Sequence, residues 1–263
     1  MLKRSIVSGL MLAAVMATSA AGSVIDDAVE RMDEGTIRLQ FEARDGVCGD
    51  GRSSISFGGD EGTWYVSDGH HDGWERDCDE GPVRVSMRIR DGRVVRVKTR
   101  VGGTPRAAGD SVVDIGEVPP AVAVDFFLGL ARNAHESVAE DAILPAILAR
   151  DVVVWPRILE IARDDDRPED VRESSVFWLG QLAGDKATEG LKSIVDDDDE
   201  DMEIREAAVF ALSQGNSRKS AGYLMEIARS NRHPEIRRNA MFWLAQRDDP
   251  EVLDFFEEIL LGD

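Results

Sequence analysis

The order of apolar and polar positions divides the chain into two regions with different periods. Between Ile37 and Val101 apolar residues alternate with polar ones: Ile37, Leu39 and Phe41 with Arg38, Gln40 and Glu42, then Ile55 and Phe57 with Ser54 and Ser56. Val83, Val85, Met87 and Ile89 form a third set, and Val95, Val97, Thr99 and Val101 a fourth. A period of two puts each set on one side of a strand, which predicts a small antiparallel sheet with one buried face. The last two strands form a hairpin around Asp91-Gly92. A three-residue loop, Arg90–Gly92, would pair Met87 with Val95 and Val85 with Val97, bringing both apolar sets to one face. A short helix precedes the sheet, with Val24, Ile25, Ala28, Val29 and Met32 on one side and Gly35 as its stop.

From about residue 120 the spacing becomes helical, and one stretch is written three times. Val171–Gln181 returns as Ile204–Gln214, 33 residues on, and as Ile236–Gln246, 32 residues further. Each copy follows a shorter apolar segment beginning at Ile158, Leu191 or Leu224. The unit is therefore a pair of helices that bury their faces against neighbouring pairs. In the middle copy Ile204, Ala207, Ala208, Ala211 and Leu212 make the core stripe, with Trp178 and Trp243 at the place of Ala211 in the other two. Val122–Asn133 and Val138–Leu148 read as an atypical first pair carrying Pro145, and Val252–Leu261 as a last helix without a partner after it. Phe177, Phe210 and Phe242 recur with Gln181, Gln214 and Gln246 four residues later, so each pair shares a helix flank. Two roles fit this ribbon: packing between the second helices, or a surface facing a partner.

Before each second helix stands an acid, then Val or Ile, then Arg: Asp170–Arg172, Glu203–Arg205 and Glu235–Arg237. This start and the small, apolar helix after it resemble the HEAT-repeat family, in particular the short HEAT-like repeats also seen in phycobilisome lyase subunits. The resemblance covers about residues 120–263 and implies an all-α solenoid of about three and a half helix pairs that binds another protein or holds an assembly together. It also implies a structural role for Arg172, Arg205 and Arg237, tying adjacent repeats through a carboxylate. The iron-binding HEAT-like hydroxylases use repeated His-Glu pairs; this chain has His135-Glu136 alone, with His233 near Glu235.

Composition adds place and charge. Residues 1–22 join Lys3 and Arg4 to an apolar run too short to span a bilayer and then to small residues, the form of a signal peptide. The expected mature protein is exported and soluble, periplasmic or extracellular, with no membrane insertion. In that setting the two cysteines, Cys48 and Cys78, predict a disulfide. The expected domains are a disulfide-pinned β region over 24–105, a linker over 106–117 and the helical repeats over 118–263. The formal charge is −20, which argues against nucleic acid as a partner. Residues 82–101 oppose this trend, with seven basic side chains against Asp91. Arg84, Arg88, Arg90, Arg96, Lys98 and Arg100 fall on one hairpin face, a candidate for binding an anionic ligand or cell-envelope polymer, or for docking on the acidic repeats. The His70–Cys78 stretch has metal-binding residue types without zinc spacing. With no nucleophile set and no phosphate loop, neither cofactor nor catalysis is expected. The acidic runs Asp164–Asp166 and Asp196–Asp201 read as solvated turns.

Overall fold

The protein is described by a computed structural model, which covers residues 23–52, 54–59, 62–66, 78–104, 109, 111–182, 185–215 and 218–261. The leader and most of the His70–Cys78 stretch lie outside the described residues. Helix α1 (Val24–Glu30) opens with a capping box in which the Ser23 hydroxyl accepts from the Asp26 amide and the Asp26 carboxylate accepts from the Ser23 amide. Eight strands follow: β1 (Glu34–Phe41), β2 (Cys48–Gly49), β3 (Ile55–Gly59), β4 (Gly62–Val66), β5 (Asp79–Glu80), β6 (Val83–Arg90), β7 (Arg93–Val101) and β8 (Val112–Glu117). They form two four-stranded sheets, ordered β7-β6-β1-β8 and β4-β3-β2-β5.

The alternating segments occupy β1, β3, β6 and β7. Two expectations change. Residues 112–117, expected as linker, form β8, which pairs parallel with β1 and makes the first sheet mixed. Val112 and Val113 had too short an apolar run to stand out, and the open edge of β1 is what recruits them. The hairpin loop is also two residues long, not three. Asp91 and Gly92 both take positive φ (51° and 66°), the mirror-image turn that matches strand twist. A bulge then inserts Val95, so Met87 faces Val97 and Val85 faces Thr99. The apolar sets still coincide; the bulge, rather than the loop, aligns them. The disulfide joins Cys48 to Cys78 with Cα atoms 5.2 Å apart, tying β2 to the residue before β5.

The rest of the chain is helical. The first pair is α2 (Pro120–Asn133) and α3 (Glu136–Ile147). Next come α4 (Trp155–Ala162) with α5 (Glu169–Gln181), α6 (Asp185–Val195) with α7 (Met202–Gln214), and α8 (Arg218–Ser230) with α9 (Pro234–Leu244). Helix α10 (Pro250–Leu261) closes the series. The second helices of the pairs touch in sequence, α3 on α5, α5 on α7 and α7 on α9. Small residues make this approach possible: a Cβ on Gly180 would lie 2.9 Å from the Ala211 side chain.

Sheets and helices share one continuous core. Phe41 of β1 meets Phe127 of α2 at a ring distance of 6.3 Å, and Phe57 of β3 meets Trp178 of α5 at 5.9 Å. Trp178 therefore stands where Ala211 stands in the next pair because it fills space against a sheet. Ala43 bridges Ala149, with the Arg44 amide donating to the Leu148 carbonyl and the Arg150 amide to that of Glu42. Helix α3 lies along β7 and covers its outer side.

The repeat arginines close helix ends. Arg172 Nε donates to the Ala162 carbonyl at 3.1 Å, Arg205 Nε to that of Val195 at 3.0 Å, and Arg237 Nη1 to that of Asn231 at 2.6 Å. Each thus satisfies a carbonyl left over at the end of the preceding helix. Arg172 also reaches Glu200 and, at 2.6 Å, Asp201 in the next pair, as a tie between repeats requires. Arg205 and Arg237 differ: Arg205 pairs with Asp198 in its own turn, and the bond of Arg237 also stays within its pair. The Asp196–Asp201 turn is accordingly a junction and not a solvated loop. It receives Arg163 on Asp197, Arg172 on Glu200 and Asp201, and Arg205, Arg232 and His233 on Asp198.

Two outcomes are expected. Trp178→Ala should cost about 3–5 kcal/mol through lost burial and a cavity. Because the core is shared, hydrogen exchange should accelerate in β6 and α7 alike; acceleration confined to the helices would contradict a shared core. Arg205→Met keeps bulk but leaves the Val195 carbonyl without its donor and takes the buried guanidinium from Asp198, which keeps Arg232 and His233, and should cost about 1–3 kcal/mol in urea unfolding.

Candidate interaction surfaces

Two surfaces gather the residues singled out by the sequence. The first is built by α3, α5 and α7. Where these helices meet, Glu140, Asp170, Glu173, Ser174, Phe177, Ala207 and Phe210 line a groove of about 520 Å³. Phe177 and Phe210 are half-buried, each held by an aromatic neighbour: Phe177 by Trp178 at 5.0 Å and Phe210 by Trp243 at 4.8 Å. Phe242 continues the line at 57% exposure. The phenylalanines are therefore neither fully core nor free, since one side of each ring packs and the other faces the groove.

The glutamines follow a different gradient. Gln181 is buried, and neither amide atom has a hydrogen-bond partner among the described residues. Gln214 is half-buried and donates to Ser213 Oγ at 3.2 Å, while Gln246 is exposed. The ribbon drawn from four-residue spacing thus divides: the groove takes two phenylalanines and excludes the glutamines.

What the spacing did not reveal is the acid around those rings. The Glu136 carboxyl is held above its ordinary range by the hydrogen bond its protonated form donates to Asp170 and by the charge of Asp170. Glu140 is raised by partial burial and by Asp170, Glu136 and Asp141, and Glu173 by partial burial and by Glu169, Asp170 and Glu203. Carboxylates from the starts of α3, α5 and α7 therefore repel one another along the groove. The signal was present in the acid that opens each second helix, but its consequence needs the helices side by side.

The second surface is the hairpin. The observed register sets Arg84 opposite Arg100, Ser86 opposite Lys98 and Arg88 opposite Arg96, with Arg90 opposite Arg93 at the turn. The expected basic face is thus assembled, although by a different loop. Arg88 contacts Glu34 at 3.5 Å and Arg100 donates to Ser86 Oγ at 3.3 Å. Arg90, Arg96 and Lys98 have no ion pair among the described residues. Burial and the neighbouring Arg100 hold the Arg84 guanidinium below its ordinary value. A cleft of about 340 Å³ separates Arg96, Lys98 and Arg100 from Glu140 and Asp141 of α3. The hairpin cations and the acidic start of α3 thus face each other across one cleft.

Among the described residues, no group of three or more His, Cys, Asp or Glu side chains is placed to hold a metal ion, and no helix is long and apolar enough to cross a membrane. Comparison with protein-family models and with curated proteins finds no match for this chain.

The raised carboxyls give a signed pH prediction. A group whose folded pKa lies above its unfolded value costs stability when ionised, so its contribution improves as pH falls through the folded value. Glu140→Gln with Glu173→Gln should therefore raise the melting temperature at pH 7 by about 2–4 °C, given screened repulsion of at most about 1 kcal/mol. The gain should vanish near pH 4, close to the unfolded glutamate pKa of about 4.3, when the wild-type carboxyls are protonated. A gain unchanged between the two pH values would contradict repulsion as its cause.

Proposed function

We propose that this protein is an exported, non-enzymatic interaction scaffold whose helix pairs form a short HEAT-like α-solenoid. The groove on the second helices holds a segment of a partner protein. The observation that carries this reading is the groove itself: two half-buried aromatic rings flanked by Glu140, Asp170 and Glu173, which have no ion pair among the described residues. Such a site fits a cationic segment with apolar anchors. The rings accept the anchors, and the charge of the partner removes the repulsion that raises Glu140 and Glu173. Three further features support the scaffold. The threefold sequence repeat, the sequential contacts α3–α5–α7–α9 and the arginine at each helix-pair junction are what a repeat protein requires. The disulfide supports an oxidising compartment, in line with the leader-like residues 1–22.

A cationic amphipathic peptide with lysine and leucine at helical spacing serves as the probe, titrated by fluorescence anisotropy. The intact protein should bind it. Phe177→Ala should weaken binding about tenfold, the scale of one lost anchor of about 1.4 kcal/mol. Asp170→Asn with Glu173→Gln should weaken it most at low salt. Equal affinity in all three proteins would remove the groove as the partner site.

A further inference from the structure

The hairpin face carries an electrostatic cost. Three arginine pairs stand directly opposite each other, Arg84 with Arg100, Arg88 with Arg96 and, at the turn, Arg90 with Arg93. Like charges in that position are about 5 Å apart and destabilise a sheet. One residue of slippage would separate the two sets, but it would also turn Val97 and Val101 out of the core, so the apolar register imposes the arginine pairing. The Val95 bulge brings them into line. Neutralisation from within the protein is sparse: Glu34 serves Arg88, and Nε and Nη2 of Arg84 are buried without a hydrogen-bond partner among the described residues. Arg96, Lys98 and Arg100 also form one wall of the cleft beside α3, and Arg52 adds a further cation there.

The spacing of the charges limits what can answer them. Alternate residues on a strand share a face and lie about 6.7 Å apart. The cations therefore stand in rows across β6 and β7, at Arg84/Arg100, Lys98 and Arg88/Arg96, one row every two residues. An extended peptide has the same repeat and the same hand of twist, so carboxylates at its alternate positions meet successive rows. Guanidiniums of the outer rows then bind a carboxylate through two parallel hydrogen bonds, and Lys98 meets the middle one as a point charge. A long polyanion is disfavoured by the surroundings, because Glu34 borders the face, Glu140 and Asp141 form the opposite wall of the cleft and the whole chain is strongly acidic.

We infer that the β6–β7 face is a second recognition surface, distinct from the helical groove, that binds a short extended segment of a partner protein with Asp or Glu at alternate positions. The sheet reads spacing, with the cation rows as its ruler.

The test uses the full-length oxidised protein and two ten-residue peptides of equal composition. One alternates Asp with Thr; the other places all its Asp residues in one block. Anisotropy titration at low salt should show the alternating peptide binding about fivefold or more tightly, equivalent to about 1 kcal/mol from register. Arg88→Gln with Arg96→Gln should abolish that preference while leaving the melting temperature unchanged or higher, since it removes a like-charge pair. Phe177→Ala should leave it intact, which separates this surface from the groove. Equal binding of both peptides would mean unselective charge attraction and would overturn the inference. Displacement of the peptide by pyrophosphate at equal charge concentration would overturn it too, by marking a small-anion site. No binding of either peptide would leave the face merely solvated and would refute it outright.

Discussion

Helix ends are where this structure is held together. Every α-helix leaves its last carbonyls without partners and gathers partial negative charge there. Five helices of this protein meet that demand with a guanidinium from a later element. Arg167 reaches the carbonyls of Arg132 and Ala134 after α2, Arg172 that of Ala162 after α4, and Arg205 that of Val195 after α6. Arg247 reaches Ser213 and Gly215 after α7, and Arg237 reaches Asn231 after α8. A guanidinium at 1% exposure, as at Arg205, needs anions close by, because an uncompensated buried charge costs several kcal/mol. The aspartate-rich turns supply them. Burial raises the demand and the carboxylates more than answer it at Arg172, whose guanidinium is held above its ordinary value.

This arrangement gives meaning to a composition that otherwise suggests only solubility. Part of the acid serves structural arginines, and Asp198 alone receives Arg205, Arg232 and His233. Another part, Glu140, Asp170 and Glu173, has no such partner among the described residues and repels itself beside two aromatic rings. The hairpin face has the opposite excess. Charge of both signs thus lies on one molecule with a cleft between. Separation of this kind costs stability, and the cost is recovered when each surface meets a complement.

The threefold repeat, the nine helices described after residue 120, the four main strands and the disulfide were all legible in the sequence. Their information is local: a period of two or of 3.6 needs only neighbouring residues to declare itself, and two cysteines leave one pairing. The basic face was legible too, because alternation on each strand survives a change of loop. The two-residue turn and the Val95 bulge were not, since a two-residue loop brings the apolar sets together only when a bulge follows it, and a bulge leaves no mark in the alternation. Strand β8 escaped for a related reason, since its pairing with β1 is a long-range event with no short-range mark.

The sequence by itself determined which residues lie on which side of each element, because side-chain direction follows from backbone period. It could not determine which sides meet. That Trp178 faces Phe57, that the Asp196–Asp201 turn collects cations from three helix pairs, and that Phe177 and Phe210 share a groove while Gln181 is buried were decided only by tertiary structure. Contacts of this kind join residues about 30 to 120 positions apart, and a pattern read over a dozen residues carries no record of them.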